Sequence, residues 1–221
     1  MIEKYKQFIT QFPDIFSLAH VPLQEVLRQW QGLGYNRRAV ALKNIARIVV
    51  EQFQGRLPSS AEVLMTLPGI GRATASAIAT FAFNAPSVFI ETNIRTVFIH
   101  FFFQDKHNVK DCEILPFVEK TLDTSNPRRW YYALMDYGVM LKKLYPDLGK
   151  RSGHYKKQTP FKGSNRQVRG MILKALTAAT DASEKELIQT LYMSAEQIRK
   201  NLIQLEKEGF IKRTGKRFSI V

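Results

Sequence analysis

Leu67-Pro68-Gly69-Ile70-Gly71-Arg72 is the stretch whose residue types and spacing first suggest chemistry. Two glycines stand just ahead of an Ala-rich run, Arg72 to Phe83. Glycine permits positive φ and leaves no Cβ between the backbone and a partner. The opening N–H groups of a helix lack intrahelical acceptors, and the macrodipole favours an anion there. A phosphate is the ligand this arrangement suits. The same residues also suit a tight helix–helix turn that uses glycine for geometry alone. Charge bears on the choice. The formal net charge is +14 and the pI about 9.9, which calls for a polyanionic partner. The excess is uneven, with 16 Lys and Arg against 6 Asp and Glu in residues 150–221. No segment pairs a basic face with a bulky apolar one of interfacial type, so nucleic acid is a better match than an anionic membrane.

The elements that must position this hairpin read as helices. Pro58-Ser59-Ser60-Ala61-Glu62 offers a Ser followed three residues later by Glu, a capping-box start for a helix ending near Leu67. Upstream, Ile2, Tyr5, Phe8, Ile9 and Phe12 share one helical face, and Pro13 ends that helix. Pro22 to Gln31 is a second helix with Val26, Leu27 and Trp30 inward, broken by Gly32-Leu33-Gly34-Tyr35. A third carries Leu42, Ile45, Ala46, Val49 and Phe53 up to Gly55. Downstream, Asn84 to Ser87 is a turn and Val88-Phe89-Ile90 a short extended run. Thr92 or Asn93 then caps a helix whose Ile94, Val97, Phe98, Phe101 and Phe102 are expected to pack deeply. A helix over roughly 112–122 follows, then one from Asn126-Pro127 to about Pro146. Helices joined by short links predict an all-α domain over 1–147.

Lys142 to Arg169 holds nine Lys or Arg and one acid, Asp147, and reads as a basic linker over 148–164. Residues 165–221 read as three helices and a hairpin, a small winged-helix (α+β) domain. Its functional reading is DNA contact through Gln197, Arg199, Lys200 and Gln204 on the third helix and Arg213, Lys216 and Arg217 on the wing. Its other reading is a protein-interaction or dimerisation wing. The lone Cys112 excludes an intrachain disulfide and a four-cysteine iron–sulfur site within this chain, and fits a reducing cytoplasm. His20, His100, His107 and His154 lack metal-ligand spacing. No stretch has the length of a membrane span, and no signal peptide is visible. A monomer in the cytoplasm, associated with the nucleoid, is the expectation.

Leu67-Pro-Gly-Ile-Gly-Arg-Ala-Thr-Ala-Ser-Ala-Ile-Ala79 and Phe89-Ile-Glu-Thr-Asn-Ile-Arg-Thr-Val97 closely resemble the helix-hairpin-helix (HhH-GPD) DNA glycosylases. The resemblance is nearest to the A/G-mismatch adenine glycosylases (the MutY family), with endonuclease III a cousin. Leu27-Arg-Gln-Trp-Gln-Gly-Leu-Gly-Tyr-Asn-Arg-Arg-Ala39 and Ala133-Leu-Met-Asp-Tyr-Gly138 extend it, in order, over about residues 1–145. It implies a helix-hairpin-helix core and removal of adenine opposite guanine or oxidised guanine in double-stranded DNA. Leu67, Gly69, Gly71 and Arg72 would grip the backbone, with room for a monovalent cation. Tyr35 would be the wedge beside the lesion's partner, worth roughly 1–3 kcal/mol of stacking.

Glu91 stands where the family has its catalytic aspartate, and Asn93 matches an asparagine that hydrogen-bonds that carboxylate. A Glu projects one methylene further and caps a helix poorly. Ala73 stands where endonuclease III relatives carry a Schiff-base lysine, which implies a monofunctional hydrolase. Lys142 occupies the place expected of the first iron–sulfur cysteine, so no cluster is expected. The acid that protonates adenine in the family lies on a helix before the matched region, and neither Glu3 nor Glu25 matches it. Asp136 matches a family acid and reads as structural, a helix cap. The alternatives are a non-catalytic DNA-binding protein of this fold and a glycosylase for uracil or thymine opposite guanine.

Overall fold

The computed structural model describes residues 2–221, which form two compact units. One takes the chain up to Leu57 together with Thr159–Val221; the other is Pro58–Gln158. This departs from the expected division at 147 and 165. The reason is a shared core: Leu18, Val26, Leu27 and Ala46 lie in one hydrophobic cluster with Val168, Ile172, Leu176, Leu202 and Phe210. Removing these apolar groups from water requires the early helices and the late ones together.

The chain opens with α1 (Ile2–Gln11), α2 (Ile15–His20), α3 (Leu23–Trp30) and α4 (Arg37–Phe53). The face expected to be buried on α1 is largely open, with Ile2, Tyr5 and Ile9 exposed and Phe12, just past its end, buried. Apolar spacing did not foresee α2, which is too short to show a period; Asp14 caps it, accepting the Ser17 N–H at 2.7 Å. At the end of α4, Gly55 takes a left-handed conformation (φ +78) that favours glycine, and a Cβ there would displace the Phe16 ring, 2.4 Å away.

The second unit holds α5 (Ala61–Leu64), α6 (Arg72–Phe83), α7 (Thr92–Phe102), α8 (Asp111–Thr121) and α9 (Pro127–Leu144). Ser60, not Ser59, caps α5, accepting from the Val63 N–H at 3.3 Å and donating to Glu62 at 2.5 Å. The core is built from Phe89, Ile94, Val97, Phe98, Ile114, Val118, Tyr131 and Leu141. Tyr131 is fully buried with its hydroxyl satisfied, accepting from the Phe89 N–H (3.2 Å) and donating to Ser87 O (2.9 Å). Burial pushes its pKa up to about 12. The extended run at 88–90 is therefore pinned by a side chain and forms no ladder. Phe101 and Phe102, expected in the core, are half exposed because the last turn of α7 reaches past its cover. The expected linker begins as part of this unit, with buried Leu148 on a 3₁₀ turn (Leu148–Arg151) and a bridge between Val109 and Ser152.

The chain then completes the first unit with α10 (Asn165–Ala178), β1 (Ala182–Ser183), α11 (Glu184–Leu191), α12 (Ala195–Lys207), β2 (Ile211–Thr214) and β3 (Arg217–Ile220). Ser164, Ser183 and Ser194 cap the three helices. The small antiparallel sheet has the order β1-β3-β2, with Lys212 opposite Ser219 and Ala182 opposite Phe218. Arg28 on α3 donates to Thr177 O (3.0 Å) and Gln31, just past that helix, to Thr177 Oγ1 (2.6 Å), joining its end to the end of α10. Glu208 accepts from Arg37 of α4 (2.6 Å) and Arg169 of α10 (2.5 Å). Among the described residues no helix is long and apolar enough to cross a membrane.

Candidate active site and nucleic-acid interface

Glu91 is the cap of α7. Its backbone is extended (φ −119, ψ 177), which turns the side chain back over the helix start. Oε1 accepts from the Asn93 N–H at 2.6 Å and the Ile94 N–H at 3.0 Å. The cap expected at Thr92 or Asn93 thus falls one residue earlier, and the longer Glu still reaches the amides. Two amides at the start of the helix thus fix Oε1 in this half-buried place.

Asn93 binds Glu91 through its backbone N–H. The carboxamide Oδ1 instead accepts from Lys142 Nζ at 2.6 Å. Arg95, two residues on, forms a fork with Asp111 at 2.6 and 2.8 Å. Burial opposes ionisation of Asp111, but the Arg95 guanidinium outweighs it and holds the carboxyl below its usual range. Asp136 lies mid-helix on α9 and is exposed, so it caps nothing.

At the hairpin, Gly69 has φ +77 and the Ile70 N–H closes a turn onto Leu67 O at 3.2 Å. Gly71 caps α6, whose first bond runs from the Ala75 N–H to Gly71 O at 2.9 Å. The amides of Arg72, Ala73 and Thr74 therefore stand at the open end of the helix. Gly69 is explained by its turn. Gly71 is not: its φ is −92 and a Cβ there would meet nothing within 4 Å. A bare backbone that internal packing does not require favours close approach by an outside group. Gly69, Gly71 and Arg72 are exposed. Leu67 is only 3% exposed, so its side chain anchors the hairpin in the interior.

Tyr35 belongs to the first unit. It is 65% exposed at φ +49, a left-handed conformation that costs a non-glycine residue about 1–2 kcal/mol. Gly32 and Gly34 flank it at φ +89 and +71, Trp30 Nε1 donates to Gly34 O (2.9 Å), and the Arg38 guanidinium lies 5.2 Å from the Tyr35 ring. A ring held outward at a strained position is a candidate contact. Lys200, Gln204, Arg213 and Lys216 are exposed as expected. Arg199 and Arg217 are paired within the unit, Arg199 with Glu184 at 2.8 Å and Arg217 with Asp181 at 2.7 Å and Glu186 at 3.3 Å. Arg213 donates to Gly215 O at 2.9 Å. The partners of Arg199 and Arg217 are distant along the chain and invisible to composition.

The structure brings Glu91, Asn93 and the hairpin into one unit; Tyr35 and the basic C-terminal residues are in the other. Lys142 was missed as a site residue.

The profile of HhH-GPD superfamily base excision DNA repair proteins matches residues 1–116. The chain belongs to the HhH-GPD superfamily. Within it, the chain is 34% identical over 145 residues to the adenine DNA glycosylase of Buchnera aphidicola subsp. Baizongia pistaciae (strain Bp), covering 64% of this chain and 40% of that protein. It is 27% identical over 208 residues to the adenine DNA glycosylase of Mycolicibacterium smegmatis (strain ATCC 700084 / mc(2)155), covering 86% of this chain and 70% of that protein. The match thus spans about two fifths of the Buchnera relative's length. A solved thermostable thymine-DNA glycosylase shares the HhH-GPD fold at a TM-score of 0.54 and 22% identity, over 62% of this chain and 65% of that one.

Proposed function

We propose that this chain is a DNA N-glycosylase that hydrolyses the glycosidic bond of adenine mispaired with guanine or oxidised guanine. The observation that carries the reading is Glu91 Oε1 pinned by two amides at the start of α7, in the family's carboxylate position. Breaking the bond sends its electron pair out with the base and leaves an oxocarbenium-like sugar. A fixed carboxylate stabilises that cation without reorganising, and Oε2 is the atom offered to it. Water then adds to the anomeric carbon, and the proton it releases balances the one the departed base takes up. Ala73 has no amine, so lyase chemistry through that residue is not part of the reading. The adenine preference rests on the relatives, not on a base-reading residue.

Double-stranded DNA is the proposed partner. The hairpin amides at Gly71 and Arg72 would take a phosphate, with backbone carbonyls supplying oxygen donors for a monovalent cation. Tyr35 would fill the gap beside the extruded nucleotide. The winged-helix-like elements α10–α12 and β1–β3 would add affinity through Lys200, Gln204 and Lys216. The four-thiolate iron–sulfur site of most relatives does not fit these residues: the sequence has one cysteine, and Lys142 is bound to Asn93.

The test is single-turnover base release from a duplex carrying adenine opposite oxidised guanine. Glu91→Gln should slow release ~10²–10³-fold, the scale for losing one preorganised electrostatic group, while duplex affinity is kept. Equal loss of both would refute the assignment. Thymine or uracil opposite guanine, run in parallel, measures the competing specificity.

A further inference from the structure

Asn93 is held from two directions. Its backbone N–H donates to Glu91, and its carboxamide oxygen accepts from Lys142. Gly138 makes the second contact possible. A Cβ at Gly138 would lie 2.4 Å from Asn93 O and 2.7 Å from Asn93 Cβ, so α9 passes the start of α7 with backbone against backbone. Lys142 is one turn further along the same face of α9. A lysine stem from that position ends on the Asn93 carboxamide.

Two arguments say that the ammonium is there for more than packing. A cation near the N-terminus of a helix is opposed by the macrodipole. Half-burial also costs an amine hydration. Desolvation moves the Lys142 pKa below the ordinary lysine value, Glu91 acts to raise it, and Arg95 acts to lower it. Of the elements packed against α9, α6 carries Arg72, α7 carries Arg95 and His100, and the 3₁₀ turn carries Lys150, paired with Asp147 at 2.6 Å, and Arg151, which donates to Lys106 O. A methionine or leucine would fill the same space without these costs.

We propose that Lys142 is a positioning residue for the Glu91–Asn93 pair: its ammonium fixes the Asn93 carboxamide, and the backbone of that residue in turn fixes the Glu91 carboxylate. The assignment rests on the reading of Glu91 as the sugar-side carboxylate. A charge-assisted bond is roughly twice as strong as a neutral one. Deprotonating Lys142 therefore loosens the pair, and catalysis weakens with it.

The test compares the full chain with Lys142→Met and Lys142→Arg. The Asn93 side-chain amide is followed by NMR from pH 7 to 11, and base release is measured over the same range. In the wild type the Asn93 amide should titrate with a midpoint below that of a free lysine, and release should decline on the alkaline side at that midpoint. Lys142→Met should slow release at pH 7 by ~10–10²-fold, the scale of a small misplacement of a reacting group, and remove the alkaline limb. Lys142→Arg should restore most of the rate and also lack the limb, since arginine stays charged.

An Asn93 amide that does not move with pH in the wild type would overturn the proposal, even if Lys142→Met fails to fold. So would Lys142→Met retaining both the wild-type rate and the limb. Glu91→Gln with unchanged release would overturn the reading of Glu91 instead, and the NMR titration would still decide whether Lys142 holds Asn93.

Discussion

Replacing Glu208 with Gln tests the arrangement that most separates this fold from a simple string of domains. Glu208 sits past α12, yet it accepts from Arg37 on α4 and Arg169 on α10. Its side chain is 16% exposed, as is that of Arg169, while Arg37 is 71% exposed. The hydrogen bonds from Arg37, opposed by burial and helped by Arg169, bring its pKa from 4.5 down to about 2. At 1.36 kcal/mol per unit, that depression corresponds to about 3 kcal/mol. The open Arg37 end, screened by water, argues for the lower side of that figure. A folded-state pKa below the unfolded one gives a contribution that is complete above about pH 4.5 and is lost as pH falls through about 2. Glu208→Gln should therefore cost ~2–3 kcal/mol at pH 7 and less than half of that at pH 3. Urea unfolding followed through Trp30, in a Trp130→Phe background, reads the first unit alone. A deficit of equal size at both pH values would refute the electrostatic account, and no deficit at pH 7 would refute the pairing.

Gly138→Ala must push α9 off Asn93, since the contact is with backbone; it should cost about 1–3 kcal/mol by denaturation and slow base release at least ~10-fold. An unchanged variant would show that α9 does not press on the start of α7. Duplex affinity should drop by ~10³–10⁵ between 50 and 200 mM salt if ~6–10 phosphates are contacted, and a flat salt titration would remove the electrostatic basis for DNA binding.

Much of the second unit was legible because its signals are local. The Pro127 start, the Ala-rich α6 and the glycine hairpin all depend on neighbours in sequence. The cap of α7 was misplaced by one residue because propensity counts Glu as a poor cap, and extended backbone at Glu91 overrides propensity. The first unit was read less well. Its helices were largely found, but the core that unites Val26 and Leu27 with Ile172 and Leu202 joins residues about 150 positions apart, and no periodicity reports such a pairing. The same blindness hid the ion pairs of Arg199 with Glu184 and of Arg217 with Asp181 and Glu186. Lys142 was legible only as a replaced cysteine; its role required seeing which face of α9 meets Asn93.

The interleaved order of the chain has a consequence for how it is made. On a ribosome, Leu18, Val26, Leu27 and Ala46 emerge long before the residues that cover them, which follow only after all of Pro58–Gln158. At roughly 5–20 residues per second, those greasy side chains wait on the order of 5–20 s for their mates. The hairpin-bearing unit, continuous in sequence, can fold during that interval. Newborn chains should therefore lean on chaperones through their first four helices, and aggregation should start there.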